Sequence, residues 1–235
     1  MAFECVSRTD VGLRRKVNED SILVRTDRGL WAVADGMGGH EAGDVASAKV
    51  VDALLNLPIF YDIDELVDGA AKALQRVNRE LIQIAGGSER TPGSTIVALA
   101  IAGDQFRCFW AGDSRAYRVR NGEIVQLSRD HSLVQGLVDA GMLSPAEAEH
   151  HPNANVVTRA VGVTEDLQLD VIGGDVMPGD LFVLASDGLT RVVGDQELLD
   201  ELETGGTEAA ADRLIETVLA RGAPDNVSIV ITRVV

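Results

Sequence analysis

The feature that most constrains this chain is a set of aspartates placed where apolar, strand-like runs meet a turn. Any one of them is typical of an ordinary turn. Together with Glu19 and Asp20 they predict a cluster of carboxylates, the kind of site that binds two or more hard divalent cations. Such a two-metal site can activate a water for in-line attack on phosphorus. The four strand-edge residues are Asp35, Asp113, Asp187 and Asp225.

The stretch from Asp35 to His40 shows this pattern most clearly. It follows the apolar run 30–34, which predicts a buried strand. Three glycines within the stretch let the backbone turn tightly and come close to a bound group. The alternative is a plain hairpin turn, which requires a second strand directly after the glycines. Residues 41–57 have a helical pattern instead.

Composition sets the class of protein. A chain of 235 residues with 46% apolar content predicts one ordinary globular domain. No apolar run approaches the roughly 20 residues of a membrane span, and the first residues lack the pattern of a secretory signal. Cys5 and Cys108 are too few for a disulfide framework and lack metal-ligand spacing. We therefore expect a soluble, cytoplasmic protein.

The net charge of −16 limits the partners of the chain. It argues against nucleic acid and against an anionic membrane surface, because both repel an acidic protein. It does not exclude a phosphorylated substrate, since bound metal ions can invert the local field.

Strand-like segments outnumber helical ones, and the helices come in pairs. The polar segment 141–162 lacks sustained periodicity, so we expect a flexible insertion near the site, although Ser144 begins a capping box there. Asp195 and Thr207 are predicted as helix N-caps. The predicted strands are 3–9, 21–25, 29–34, 94–102, 105–111, 116–120, 123–127, 168–172, 180–185 and 227–234. The predicted helices are 41–57, 66–84, 133–140, 196–202 and 208–221.

Three consecutive cations, residues 14–16, stand shortly before Glu19 and Asp20. Beside a metal cluster, an arginine at this place can bind a phosphoryl group with two parallel hydrogen bonds. On local grounds a solvated charged loop remains the simpler interpretation. His131 could be a ligand or a base, but a structural or capping role is the favoured interpretation. The adjacent pair His150 and His151 does not face one way, as metal ligands must.

Five segments resemble, in order, the motifs of the metal-dependent serine/threonine protein phosphatases of type 2C, in their compact bacterial form. Each motif alone is weak, but five in the same order cover nearly the whole chain and are specific. The segments are Arg15-Lys16-Val17-Asn18-Glu19-Asp20, Asp35-Gly36-Met37-Gly38-Gly39-His40, Ala111-Gly112-Asp113-Ser114-Arg115, Ser186-Asp187-Gly188 and Asp225-Asn226-Val227-Ser228.

The resemblance implies an α+β fold in four layers, a central sandwich of two antiparallel sheets flanked by pairs of helices. It also implies two Mn²⁺ or Mg²⁺ ions per site. Asp35 would bridge them, with the Gly36 carbonyl on one ion. Asp187 and Asp225 would complete the shell of the other, and Glu19 would act through a water.

Further roles follow from the same resemblance. Asp20 would orient the bridging water, Arg15 would hold the substrate phosphate, and Asp113 would bind a third, weaker ion seen in bacterial members. Animal members place a histidine directly after the Asp-Gly pair as the proposed general acid. Here Met37 holds that position, so the nearest imidazole, His40, is the candidate acid.

The family activity predicts hydrolysis of phosphoserine and phosphothreonine in proteins by a metal-activated water, opposing a serine/threonine kinase. The whole chain, 1–235, would be one such domain, a monomer, with 141–162 as a flap beside the site. Three alternatives stay open: a phosphohydrolase of the same fold that acts on a small molecule, a silent phosphoprotein-binding module, and a structural adaptor. The full set of carboxylates argues against the last two.

Overall fold

The computed structural model of the protein describes residues 1–38, 42–86 and 92–235. Its strands are β1 (Phe3–Asp10), β2 (Asp20–Arg25), β3 (Leu30–Met37), β4 (Gly93–Ser94), β5 (Ile96–Ala102), β6 (Gln105–Ala111), β7 (Arg115–Arg120), β8 (Glu123–Gln126), β9 (Asp170–Asp175), β10 (Leu181–Ala185) and β11 (Val227–Val234). Its helices are α1 (Gly43–Leu55), α2 (Ile63–Ala85), α3 (Leu133–Asp139), α4 (Pro145–Glu149), α5 (Asp187–Thr190), α6 (Asp195–Glu203) and α7 (Thr207–Ala220).

The strands form two antiparallel sheets that face each other. The first sheet has the order β1-β11-β10-β7-β8, and the second has the order β2-β3-β5-β6-β9, with β4 added to β3. Strand β3 shows why its sequence is continuously apolar: Trp31 and Val33 pack between the sheets, whereas Ala32 and Ala34 pack under the helices. A strand buried on both faces has no polar alternation.

Each sheet carries a helical layer on its outer face. Helices α1 and α2 cover the second sheet, and α6 and α7 cover the first. Helix α2 presents an apolar stripe and is capped by Asp62, whose side chain accepts hydrogen bonds from the N–H groups of Asp64 and Glu65. The predicted four-layer α+β sandwich is confirmed. None of the helices in the described ranges is long and apolar enough to cross a membrane.

Both predicted N-caps of the last two helices are wrong by one residue. Asp195 and Thr207 are the first helical residues, and the capping positions are Gly194 and Gly206. Gly206 has φ +89°, a left-handed conformation open to glycine and strained for threonine. Gly194 is in an ordinary extended conformation, with φ −76° and ψ 161°, and neither helix has a side-chain cap.

Segment 141–162 contains one short helix, α4, with the capping box that the sequence predicts at Ser144 and Glu147. Two isolated β-bridges connect its C-terminal part to the rest of the fold, one between Val157 and Ser132 and one between Val161 and Ser94. The segment thus leaves the body after α3 and returns to it beside β4. We call residues 141–162 the flap; its flexibility stays a prediction.

Candidate metal centre

Asp35 lies near the end of β3, and its backbone is fully occupied. Its N–H donates to Thr95 Oγ1 at 3.0 Å, and its carbonyl accepts from the Thr95 N–H at 2.8 Å. On its other side Asp35 is the cross-strand partner of Asp20. Asp20 is the first residue of β2, one residue before the predicted start of that strand. The ladder therefore places two carboxylates opposite each other.

Gly36 and Glu19 share one tight corner of this site. A Cβ on Gly36 would lie 2.0 Å from the Gly43 carbonyl oxygen and 2.6 Å from that of Glu19, so only glycine fits. The Gly36 N–H donates to the Glu19 carbonyl at 3.0 Å. The Glu19 carboxylate packs against Gly43, where a Cβ would stand 2.4 Å from Glu19 Oε1.

Asp187 lies in the turn that follows β10, and this turn packs against the loop that carries Asp225. A Cβ on Gly188 would lie 1.9 Å from the Asn226 carbonyl oxygen. The Asn226 side chain donates to the carbonyls of Val11 and Val17 and accepts from the Glu19 N–H. One buried asparagine thus ties the loops of Glu19 and Asp225 together.

Asp20 is nearly buried, and only half of its carboxylate is bonded. Ser186 Oγ donates to Asp20 Oδ2 at 2.8 Å, while the Ser228 N–H donates to the same hydroxyl at 2.9 Å. Burial raises the pKa of Asp20 to about 7. Within the described ranges Asp20 Oδ1 and Asp187 Oδ1 are buried and have no hydrogen-bond partner.

The carboxylates raise one another's pKa values. The pKa of Asp35 lies well above its usual range because of burial first, then the charges of Asp187, Asp20, Asp113 and Asp225. Burial and Asp187 raise the pKa of Asp113 to about 7. Burial and Asp225 raise the pKa of Asp187. Buried carboxylates without enough positive charge are costly unless a cation joins them.

Two arginines supply part of that positive charge. Arg15 Nη2 lies 2.6 Å from Asp225 Oδ2. Arg191 Nη2 lies 2.9 Å from Asp113 Oδ2 and 3.0 Å from Asp187 Oδ2. In this arrangement no group of three or more His, Cys, Asp or Glu side chains among the described residues is placed to hold a metal ion. The unpartnered carboxylate oxygens and the all-oxygen donor set nevertheless fit hard divalent cations.

The structure brings nearly all the predicted site residues to one end of the sandwich. His40 lies outside the described residues. The residues gathered there are Arg15, Glu19, Asp20, Asp35, Gly36, Asp113, Asp187 and Asp225.

Sequence reasoning missed Arg191 and Asn226. The spacing of Asp187 and Arg191, four residues apart at the start of a helix, was a usable signal for an ion pair. For Asn226 the only signal in the sequence was its position next to Asp225.

The contacts of His131 fit the structural role that is expected for it. Its Nδ1 accepts from the Gly112 N–H at 3.1 Å, its Nε2 lies 3.2 Å from Asp170 Oδ2, and its ring stacks on Trp110. It fixes the loop that carries Asp113 without contacting that carboxylate.

Comparison with known proteins gives a consistent result. The protein phosphatase 2C family matches residues 13–228. The chain is 38% identical over 240 residues to the serine/threonine protein phosphatase PstP of Mycobacterium tuberculosis, covering 100% of this chain and 46% of PstP. It is 35% identical over 234 residues to the serine/threonine phosphatase stp of Listeria monocytogenes, covering 95% of this chain and 93% of that protein.

Solved structures agree. PppA, a key regulatory component of T6SS in Pseudomonas aeruginosa, is 45% identical with a TM-score of 0.92, covering 99% of this chain and 98% of that one. The catalytic domain of the serine/threonine protein phosphatase PstP in complex with two manganese ions is 34% identical, with a TM-score of 0.88 and the same coverages, 99% and 98%. The chain thus spans just under half the length of the mycobacterial relative.

Proposed function

We infer that this chain, which belongs to the protein phosphatase 2C family, hydrolyses phosphoserine and phosphothreonine in proteins at a centre of two divalent cations. The observation that carries the proposal is the group of buried strand-end carboxylates with raised pKa values and unpartnered oxygens. We propose that residues 1–235 act as one catalytic domain, a cytoplasmic monomer that opposes a serine/threonine kinase.

The carboxylates would hold Mn²⁺ or Mg²⁺. When bound, the two cations supply charge for the phosphoryl oxygens and an acidified water for in-line attack. Asp35 would bridge them, and Asp187 and Asp225 would complete one shell. The Gly36 carbonyl and, through a water, Glu19 would serve the other ion. A relative of the same fold, solved in complex with two manganese ions, supports a centre of two cations.

Asp20 and Arg15 would act on water and substrate. Asp20 keeps one buried oxygen free beside Asp35, a place from which it can orient the attacking water. Arg15 is half exposed, and among the described residues its side chain donates one hydrogen bond, to Asp225. Its guanidinium can therefore exchange Asp225 for a phosphate dianion. His40 is proposed as the general acid and Asp113 as the ligand of a third, weaker ion.

Cysteine chemistry is a poor alternative for this chain. A nucleophilic cysteine needs a low pKa and access to substrate. Cys108 is fully buried and burial raises its pKa, and burial also raises the pKa of Cys5, which lies in β1 opposite Thr232. We therefore propose direct attack by water without a covalent phosphoenzyme.

A second candidate substrate class is a small phosphorylated molecule. A cavity of about 570 Å³ lies between the flap and the metal centre, and Asp113, Asp187 and Arg191 line it together with Ala148 and Asn155 of the flap. That volume is within the range of small-molecule sites. Among the described residues that line the cavity there is no Phe, Tyr or Trp. Small-molecule sites are lined mainly by hydrophobic and aromatic side chains, so this lining favours a phosphorylated side chain on a protein loop.

The deciding experiment measures kcat/KM with Mn²⁺ on a panel of phosphothreonine peptides and on free metabolite phosphates, for the intact chain and for a chain with a shortened flap. We expect phosphopeptides to be preferred and the shortened flap to change their order more than the rate on a small chromogenic phosphate. A metabolite hydrolysed far faster than every peptide would establish the second candidate. Full activity in excess chelator would refute both.

A further inference from the structure

Arg191 joins the flap to the metal centre through one side chain. Its guanidinium pairs with Asp113 Oδ2 at 2.9 Å and with Asp187 Oδ2 at 3.0 Å. The same group donates to the Ala154 carbonyl at 3.2 Å and to the Asn155 side-chain oxygen. Two of these acceptors belong to the centre and two belong to the flap, so the arginine bridges them.

Arg191 and a bound cation compete for the same carboxylate oxygens, so the oxygens that Arg191 occupies determine which cation sites it affects. Asp187 gives Oδ2 to Arg191 and keeps Oδ1 buried and unpartnered. A cation that binds Asp187 through Oδ1 therefore leaves the arginine in place. Asp113 is 6% exposed at its side chain, and its Oδ2 is already paired. A cation at Asp113 must share this buried carboxylate with the guanidinium.

We propose that Arg191 is a positioning residue that latches the flap, acting as an internal cation at Asp113 that a bound divalent cation displaces. Displacement frees Ala154 and Asn155 and so unlatches the flap. Because coupling between two sites is reciprocal, an open flap also favours the cation. The inference rests on the metal centre of the proposed function but not on its substrate.

The latch predicts an effect of Mn²⁺ on the flap that can be measured without turnover. Hydrogen–deuterium exchange of peptides spanning 150–157 is followed in the full chain during a titration with MnCl₂. In the wild type we expect slow exchange at low Mn²⁺ and roughly tenfold faster exchange once Asp113 is occupied, within the usual range of coupling between sites. Arg191→Ala should exchange at the fast rate throughout, and Asp113→Asn should stay slow throughout.

Two further variants separate a latch from general loss of structure. Arg191→Lys keeps the charge but replaces the planar fork with a single ammonium, so it should release the flap while Mn²⁺ still competes at Asp113. Arg129→Ala is the matched control, because Arg129 is an exposed arginine near the flap that pairs with Asp139 instead. It should behave as the wild type.

The outcomes are distinct. Slow flap exchange in both Arg191 variants, or a Mn²⁺ response that persists in Arg191→Ala, would overturn the latch. If Arg191→Ala does not fold by circular dichroism, Arg191→Lys decides by the same exchange measurement. A chain that hydrolyses no phosphoprotein would refute the proposed function and would leave the exchange result to decide the latch separately.

Discussion

The two ends of strand β10 carry aspartates with opposite environments. Asp180 stands just before the strand, is 1% exposed, and receives both arms of the Arg120 guanidinium at 2.7 Å as well as the Met177 N–H at 2.8 Å. Asp187 follows the other end. It keeps a buried oxygen without a partner, and burial together with Asp225 raises its pKa.

The difference distinguishes a charge that is balanced within the fold from a charge that we propose to bind metal. At Asp180 the antiparallel partner strand β7 ends with the arginine that the carboxylate needs, so the pair is complete within the fold. At Asp187 neighbouring loops add further carboxylates, and Arg191 must serve Asp113 as well. An incomplete charge balance costs stability unless a cation binds, and that cost is consistent with a metal centre.

The largest expected effect comes from removing the carboxylates that we propose as metal ligands. Asp187→Asn and Asp35→Asn keep the shape and remove a charged ligand, so kcat/KM at saturating Mn²⁺ should fall at least about a thousandfold, about 4 kcal/mol of activation free energy. In chelator both variants should unfold at or above the wild-type temperature, because like-charge repulsion is relieved. Near-normal rates would remove these residues from the site.

Substitution of Asp180, at the other end of β10, should lower stability and leave activity unchanged. Asp180→Asn leaves Arg120 with a weakened partner, and breaking such a pair costs about 3 kcal/mol of unfolding free energy. Activity per folded molecule should be unchanged. The matched control is Asp175→Asn, which removes the other, 54% exposed partner of Arg120 and should cost less than about 1 kcal/mol. Equal losses in urea denaturation would contradict the comparison.

Metal binding should then distinguish the two variants. Mn²⁺ at a hundredfold excess over its Kd should stabilise the wild type by about 2.7 kcal/mol, since it binds the folded chain alone. Asp180→Asn should retain this increment in full, because its charge lies at the other end of the strand. Asp187→Asn should lose most of it. Thermal unfolding with Mn²⁺ and with chelator measures both, and an equal increment in the two variants would count against the centre.

The strand-end aspartates were predictable from sequence for a physical reason. Each follows or precedes an apolar run beside a residue that permits a turn, and the ladder of β2 and β3 then sets Asp20 opposite Asp35. Asn226 and Arg191 were less accessible. Their partners lie up to 215 residues away, or on the flap, whose path local periodicity does not determine.

The fold shows the same limit at element ends. The sandwich follows from apolar patterning, but β9 runs from Asp170 to Asp175 whereas 168–172 is predicted. Its glycines are weak strand formers, and pairing with β6 determines the strand instead. The predicted N-cap at Thr207 is wrong by one residue, because Gly206 with its left-handed φ takes the capping position instead.

Arg15 lies between the two classes of charge, since it pairs with Asp225 and is also proposed to bind phosphate. Arg15→Ala should raise KM for a phosphopeptide about tenfold, about 1.4 kcal/mol, with a smaller effect on kcat, because the guanidinium binds the phosphate in ground and transition states alike. Arg14→Ala, an exposed neighbour, is the control. A larger effect at Arg14 would show that the assignment is shifted by one residue.

The smallest expected effect concerns His131, a titratable group beside the centre that resembles Asp180 in having all its polar atoms paired. Burial, the largest cause, lowers its pKa below the ordinary 6.5. The unfolded chain therefore binds more protons near pH 6, so the contribution of neutral His131 is complete above pH 6.5 and is lost as the pH falls towards the folded pKa. His131→Gln should flatten the dependence of unfolding free energy on pH between 7 and 5, measured by urea denaturation in chelator. An unchanged slope would mean that His131 titrates alike in both states, and that burial does not hold it neutral.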